Sequence, residues 1–270
     1  MSVPIDFDAN VLSNARLSPD YSVLCLEAPA IAAAAAPGQF VMVRTTPGTD
    51  PLLRRPFSFF EILRRPDGTP SGFSLLIKRL GPGTQRLCDA RPGDRFSCLG
   101  PLGRGFDLQP GDAWMVAGGV GLAPFAMLAE ASRNAGTPSV LYYGGRSDRD
   151  LFYLEWFAAR GVRLELATED GSRGAHGRVT VPLERDLAAT DAARPVTLYA
   201  CGPEPMLKAV ARLASAHGRP SQLSTEQIMG CGLGGCYSCV VRVHDGSAHG
   251  HFARSCVNGP VFSGDAIIWE

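Results

Sequence analysis

The sequence predicts a chain of mixed α+β and α/β class: an N-terminal antiparallel β-barrel, a parallel α/β domain and a small C-terminal module built on cysteines. Three observations predict it. Residues 1–110 hold short strands separated by turns, with no long helix between them. Residues 111–220 alternate strands with helical stretches, and residues 221–270 lose that alternation and gather four of the eight cysteines. At 270 residues and 45% hydrophobic, the chain is long enough for two ordinary domains, each with its own core.

The barrel rests on "YSVLCLEAP", "QFVMVRT", "PFSFFEIL", "GFSLLIKRL" and "DRFSCLG". Each is short and rich in Val, Leu, Ile and Phe, and turn-forming stretches such as "RPDGTPSG" separate them. The pattern changes at Gln109–Asp112. "AWMVAGG" precedes the helical stretch "LAPFAMLAEASRNAG", "SVLYYGG" precedes "DLFYLEWFAARG", and "PVTLYACG" precedes "EPMLKAVARLASAHG". Strands and helices at this spacing imply a parallel sheet with crossover helices.

Several function classes are disfavoured early. Basic and acidic residues both number 26, so the basic excess of a general nucleic-acid binder is missing. No apolar stretch approaches the ~20 residues of a membrane span. The N-terminus has no basic start followed by an apolar run, so no secretory signal is expected. A cytoplasmic protein whose cysteines are reduced thiols or ligands is the expectation.

Gly118, Gly119 and Gly121 lie between a strand and a helix. Without Cβ atoms, that backbone can turn sharply and approach a pyrophosphate, and the new helix offers free N–H groups. The third glycine of the usual G-x-G-x-x-G is missing. "ACGPEPM" closes another strand, which places Cys201, Gly202 and Pro203 at the carboxyl-end rim where ligands of open parallel sheets bind. Met206, Leu207, Val210, Leu213 and Ala214 keep a helical period and read as core. Met206 also ends the rim segment and is counted with the cofactor contacts. Arg146 and Arg149 follow the second strand, and an arginine there can hold a 2′-phosphate.

The barrel half carries a second anion-ready site. "RRPFSFF" sets Arg55 and Ser58 in an otherwise apolar strand. Gly83 and Thr84 open a short helix after the strand "LLIKR". One phosphate site in each half suits two nucleotides facing each other, as electron or hydride exchange requires.

Cys231, Cys236, Cys239 and Cys256 are spaced C-x4-C-x2-C…C, the plant-type pattern for a [2Fe–2S] cluster. Gly230, Gly232, Gly234 and Gly235 let backbone N–H groups approach the sulfur atoms. Structural zinc is the competing reading, although zinc sites more often use two close cysteine pairs. His249 and His251 read as a solvated loop.

These motifs resemble the electron-transfer subunits of class 1B dihydroorotate dehydrogenase, a branch of the ferredoxin–NADP⁺ reductase superfamily. The flavin motif Arg-x-(Tyr/Phe)-Ser is similar to Arg55, Pro56, Phe57 and Ser58. The second flavin segment is similar to Leu76, Ile77, Lys78, Gly83 and Thr84. The nicotinamide segment is similar to Gly118, Gly119 and Gly121 with Pro124, and the Cys-Gly-Pro to Cys201, Gly202 and Pro203. "TEDGSRGAHGRVT", residues 168–180, is similar to that family's "DGS…G" loop. The C-terminal stretch is too short for a full plant-type ferredoxin domain, which points to this branch. The resemblance implies an FMN-containing catalytic partner that oxidises dihydroorotate, FAD in the barrel (residues 1–110), NAD on the α/β domain (111–220) and the cluster in the last module (221–270). It implies Ser58 near flavin N5, Cys201 near the nicotinamide, Arg55 on a flavin phosphate and a heterotetramer of two such subunits with two partners. NADP stays open through Arg146. Two other readings stay open: a reductase subunit feeding ferredoxin, polysulfide or an oxygenase, and a zinc-stabilised nucleotide-sensing module.

Overall fold

The structure is a computed structural model that describes residues 3–247 and 249–269. Its first half is a seven-stranded antiparallel sheet. The strands are β1 (Ile5–Arg16), β2 (Tyr21–Glu27), β3 (Phe40–Arg44), β4 (Arg55–Ser58), β5 (Ile62–Arg64), β6 (Pro70–Lys78) and β7 (Arg95–Leu102). Helices α1 (Pro29–Ala34) and α2 (Pro82–Cys88) fill two of the connections. The order is β4-β3-β7-β1-β2-β6-β5, so β4 and β5 stand at opposite edges. Only residues 59–61 separate them. Phe59 N–H donates to the Gln39 carbonyl, and Phe60 N–H donates to the Ser74 carbonyl. The chain thus leaves the β3 edge and joins β6, which curls the sheet into a barrel.

Alternation along β6 explains how it is used. Phe73, Leu75 and Ile77 are fully buried inside the barrel with Leu24, Leu26, Val41 and Val43. Leu76 faces the other way, into a different core. Gly72 is required where strands crowd, because a Cβ there would lie 2.0 Å from the Leu26 carbonyl oxygen.

The second half is a seven-stranded sheet of order β11-β10-β9-β8-β12-β13-β16. Its parallel strands are β8 (Asp112–Gly118), β9 (Ser139–Gly145), β10 (Arg163–Thr168), β11 (Ala175–His176), β12 (Val196–Cys201) and β13 (Ser221–Ser224). Helices α3 (Phe125–Asn134), α4 (Leu154–Ala158), α5 (Thr180–Ala189) and α6 (Glu204–Ala216) make the crossovers. Two expectations change. The helix expected over "DLFYLEWFAARG" shrinks to the five residues of α4, because Tyr153 takes a left-handed backbone at φ 60°. The sheet also continues past residue 220: β13 runs parallel to β12, and β16 (Val261–Ser263) pairs antiparallel with β13.

Each half keeps a core of its own, and a third core bridges them. Tyr21, Val23, Phe60 and Leu76 of the barrel share one buried cluster with Met115, Leu122, Phe125, Tyr143 and Tyr199 of the α/β half. Aromatic rings interlock across the junction: Tyr21 lies 4.8 Å from Phe152, and Phe60 lies 4.7 Å edge-on from Tyr153. The last module adds the hairpin β14 (Val240–Val243) and β15 (His251–Arg254), followed by α7 (Ser255–Asn258). Met229, Cys239 and Cys256 pack on Phe40, Met42 and Leu102 of the barrel. Among the described residues no helix is long and apolar enough to cross a membrane.

Candidate functional site

A cavity of about 490 Å³ opens over the carboxyl-end rim of the parallel sheet. Gly118, Gly119, Arg146, Pro203 and Met206, which the sequence singles out for a nucleotide, line it, and so does Lys78, which the sequence assigns to the flavin segment. Met206 is therefore a cavity residue that only borders the core beneath it. The glycines let two rim turns interlock. A Cβ on Gly121 would stand 2.2 Å from the Cys201 carbonyl oxygen, and one on Gly118 would stand 2.9 Å from Met206 Sδ. Gly202, at φ 152°, closes the facing turn. The glycines do not open the helix directly. A 3₁₀ turn spans Gly119–Leu122, and α3 begins only at Phe125, with Pro124 as its N-cap. Pro124 is buried and lies off the cavity, where it starts the helix.

Cys201 is 4% exposed and sits beneath the rim, outside the cavity lining. Burial pushes its thiol up to about 12, with the Glu226 carboxylate adding to the effect, so it stays neutral at working pH. Glu226 opens on the cavity. The enclosure around its carboxyl raises its pKa, while Lys78 pulls it down. Glu226, Tyr21, Asp150, Glu169, Arg178 and Thr180 line the cavity without having been singled out from the sequence. Glu169, Arg178 and Thr180 lie in the "TEDGSRGAHGRVT" loop, which was a usable signal. Glu226 carried none, because only the fold brings β13 beside β12.

In the barrel, Arg55, Pro56, Phe57 and Ser58 form β4 and are all half-buried, paired with β3. The Arg55 guanidinium donates to the Leu53 carbonyl at 2.8 Å. Gly83 packs against it: a Cβ there would lie 3.6 Å from Arg55 Nε and 3.2 Å from Thr45 Oγ1. Thr45 Oγ1 is buried without a hydrogen-bond partner among the described residues. A guanidinium, an orphaned hydroxyl and the start of α2 thus meet at one point, and that set fits a phosphate. Thr84 contributes differently from the expectation. Its hydroxyl accepts the Leu80 and Gly81 N–H groups and donates to the Gly81 carbonyl, so it caps α2 instead of reaching outward. Leu76 and Ile77 are likewise buried in cores on opposite faces of β6, and neither side chain lines the cavity.

The four C-terminal cysteines converge as two pairs. Cys236 and Cys231 interact through side chain and backbone, and Cys256 and Cys239 interact through their thiols. Cys239 and Cys256 are buried, Cys231 is half-buried and Cys236 is exposed. Leu233 N–H donates to Cys231 Sγ at 3.3 Å, and the Gly234 backbone hydrogen-bonds Cys256. Among the described residues no three His, Cys, Asp or Glu side chains gather closely enough to hold a single ion. Two thiol pairs with amides aimed at sulfur fit a two-iron cluster, which places two thiolates on each iron. His249 and His251 are exposed; His249 lies in a loop as expected, whereas His251 opens strand β15 and pairs with Asp245 at 3.6 Å.

Comparison with known proteins agrees with this geometry. Residues 226–268 match the iron-sulfur cluster binding domain of dihydroorotate dehydrogenase B, and residues 115–212 match the oxidoreductase NAD-binding domain. The electron transfer subunit of dihydroorotate dehydrogenase B (NAD(+)) from Desulforamulus reducens is 38% identical over 98% of both chains. Its counterpart from Geobacillus thermodenitrificans is 39% identical over 86% of both. Among solved structures, that of an NADH-dependent reduced ferredoxin-NADP oxidoreductase superposes with a TM-score of 0.83 at 27% identity, over 97% of this chain and 90% of that one. A ferredoxin reductase of carbazole 1,9a-dioxygenase shares the fold, with a TM-score of 0.66 at 23% identity over 80% of this chain and 67% of that one. With relatives this similar over nearly the whole length, a matching cluster domain and a matching NAD domain, the chain belongs to the family of dihydroorotate dehydrogenase B (NAD(+)) electron transfer subunits.

Proposed function

We propose that this chain links an FMN-containing dihydroorotate dehydrogenase catalytic subunit to NAD⁺, with a [2Fe–2S] cluster and FAD as its redox groups. One observation carries the reading. The cysteine loop lies one strand from the flavin strand: a Cβ on Gly232 would stand 2.6 Å from Met42 Cγ, and Met42 pairs with Pro56 of β4. Short separations favour electron exchange between the two groups. When bound, the cluster supplies one-electron transfer and the flavin couples it to hydride.

The chain's own residues take the following roles. Cys231 and Cys236 form one ligand pair, Cys239 and Cys256 the other. Arg55, Thr45 and the Gly83 backbone hold a flavin phosphate. Ser58 borders the flavin ring, and Pro56 and Phe57 shape the strand beneath it. The glycines at 118, 119 and 121 leave room for the dinucleotide, with Gly202, Pro203 and Met206 opposite. Cys201 acts from beneath the rim as a neutral thiol that shapes the nicotinamide end. No protein acid or base is needed to transfer a hydride. Functionally the chain divides into a flavin barrel over 1–110, a nucleotide domain over 111–220 completed by β13 and β16, and a cluster module over 221–270.

The module also exposes Ile228, Leu233, Tyr237 and Phe252, at 83, 57, 61 and 63%. These supply an apolar face for the catalytic partner. A cytoplasmic complex of two such chains with two partners is the assembly that goes with this reading.

Co-expression with the cognate catalytic subunit tests it. Dihydroorotate-dependent reduction of NAD⁺ is expected. Its absence in a complex containing FMN, FAD and iron would sink the reading. The likeness to the NADH-dependent reduced ferredoxin-NADP oxidoreductase over 97% of this chain favours a second reading, exchange with ferredoxin. Reduced ferredoxin replacing the dihydroorotate subunit as electron source would establish it. A colourless protein with zinc and no labile sulfide would instead support the nucleotide-sensing module.

A further inference from the structure

We propose that Glu169 is the carboxylate that selects NAD over NADP, by accepting a hydrogen bond from the adenosine ribose 2′-hydroxyl and repelling a 2′-phosphate. The proposal rests on the nucleotide reading of the cavity given above.

The strand order sets which end of the cavity is which. β12, β8, β9 and β10 are successive neighbours, so the rim from Cys201 to Glu169 crosses three strand spacings, about 14 Å. At the β12 end stand Met206, Glu226 and the barrel's Lys78. Glu226 and Lys78 approach each other there, where the barrel, the cysteine module and the rim converge. The nicotinamide belongs at this end, close to the flavin. With the pyrophosphate on the glycine turn after β8, the adenosine half extends over β9 and β10.

Four charged side chains line that far end, Arg146, Asp150, Glu169 and Arg178, and Asp170 follows Glu169 in the chain. Three are committed. Arg146 Nε bonds Asp150 at 3.3 Å, and the same carboxylate accepts the Arg146 N–H at 3.2 Å. Asp170 accepts the Ser172 N–H and hydroxyl at 2.9 and 2.6 Å, closing its own turn. Arg146, the residue that suggested a 2′-phosphate, therefore already carries a carboxylate. Glu169 and Arg178 have no side-chain partner among the described residues.

Glu169 is held by its backbone. Its N–H donates to the Gly145 carbonyl at 3.1 Å, at the last rung between β9 and β10. The loop behind it is stapled twice. The Thr168 hydroxyl donates to the Arg173 carbonyl at 3.0 Å, and the Ser172 hydroxyl accepts the Asp148 N–H at 2.8 Å. A carboxylate on so firm a rim meets the ribose diol well and meets a doubly charged phosphate badly. Arg178 lines the same end and serves a nucleotide phosphate or the adenine face in either case, so it does not discriminate.

Two measurements on the flavin-loaded chain test this. The first compares NADH and NADPH oxidation with ferricyanide as acceptor. The second titrates 5′-AMP and its 2′-phosphorylated form calorimetrically and needs no turnover. The native chain should favour NADH and 5′-AMP. Glu169→Gln should raise the NADPH-to-NADH ratio of kcat/KM roughly tenfold or more, given the strength of charge repulsion a few ångströms apart at a protein surface. It should also tighten binding of the 2′-phosphorylated fragment, whereas Glu169→Asp should keep the native preference. An unchanged ratio in Glu169→Gln, or a native preference for NADPH, overturns the proposal. A native chain that uses neither nucleotide overturns the nucleotide reading itself.

Discussion

The cysteine loop after β13 and the glycine turn after β8 are both tight, glycine-bearing loops, yet they work in opposite ways. In the cysteine loop the side chains are the function, and the backbone bends to bring four thiols together as two pairs. Gly232 and Gly234 take φ of 73° and 83° there. In the glycine turn the missing side chains are the function. Gly121 lies where any Cβ would strike the Cys201 carbonyl, so two rim turns interlock and leave the cavity open above them. Chemistry by placed sulfur and chemistry by vacated space therefore fail differently when mutated.

The largest contrast is expected at Cys256. It is buried, and its thiol is pushed up to about 12 by that burial and by Cys239. Cys256→Ala should abolish bound iron and labile sulfide and stop partner-dependent electron flow, while NADH oxidation by ferricyanide through the flavin persists. Retention of a full iron complement would break the comparison at its first term.

Gly121→Ala tests the other loop. The new methyl would sit 2.2 Å from a backbone oxygen and 2.6 Å from its carbon, with no flexible side chain to yield. A backbone shift is forced, and destabilisation of about 3 kcal/mol is expected, within the range for severe steric substitutions. Denaturant midpoints should show it, and the KM for NADH should rise. Gly119→Ala sharpens the point. Its Cβ would meet only Tyr21 Oη at 3.7 Å, so just the strain of φ 55° remains, worth ~1 kcal/mol. Equal effects at the two glycines would refute an argument based on vacated space.

The smallest expected effect is at Ser238. Its hydroxyl accepts the Gly230 N–H at 3.0 Å and lies 3.1 Å from the Ile228 carbonyl oxygen and 3.2 Å from Cys236 Sγ, so its one proton turns to the sulfur when Cys236 ionises. Together with its backbone, and with smaller help from the backbone and thiol of Cys231, it draws the Cys236 thiol down to about 6. Lowering favours the thiolate, so a cluster-free chain holds Cys236 ionised above about pH 6. Ser238→Ala should move the thiol pKa upward. Iodoacetamide should then modify Cys236 several-fold more slowly at pH 7, while above pH 9 the two forms react alike. A pH profile identical to the native one would remove the hydroxyl from the account.

Much of this was legible from local pattern. Three of the four ligands, each of the two rim motifs and the flavin strand lie within a few residues of chain, where spacing and composition record a local geometry; Cys256 follows Cys239 after sixteen residues. The side chains that turn away from the expected sites share a cause. Ile77 and Leu76 belong to the flavin segment by sequence but alternate into two cores, because a strand sends neighbours to opposite faces. Thr84 opens α2 but spends its hydroxyl on the turn before it. Pro124 starts a helix that begins a turn later than the glycines suggest.

By itself the sequence determined which chemistry the chain can hold. Three thiols in a nine-residue loop and glycines at a strand's end are local features, and neighbouring residues cannot avoid one another; the β14–β15 hairpin returns Cys256 to the other three. Only the tertiary structure decided how those pieces meet. It divided the thiols into two pairs, set Met42 between the cysteine loop and the flavin strand, and buried Cys201 beneath the rim. It also brought Glu226 and Glu169, 57 residues apart in the chain, to one cavity. Strand order is set by which apolar faces bury one another across the whole chain, and no local spacing records that choice.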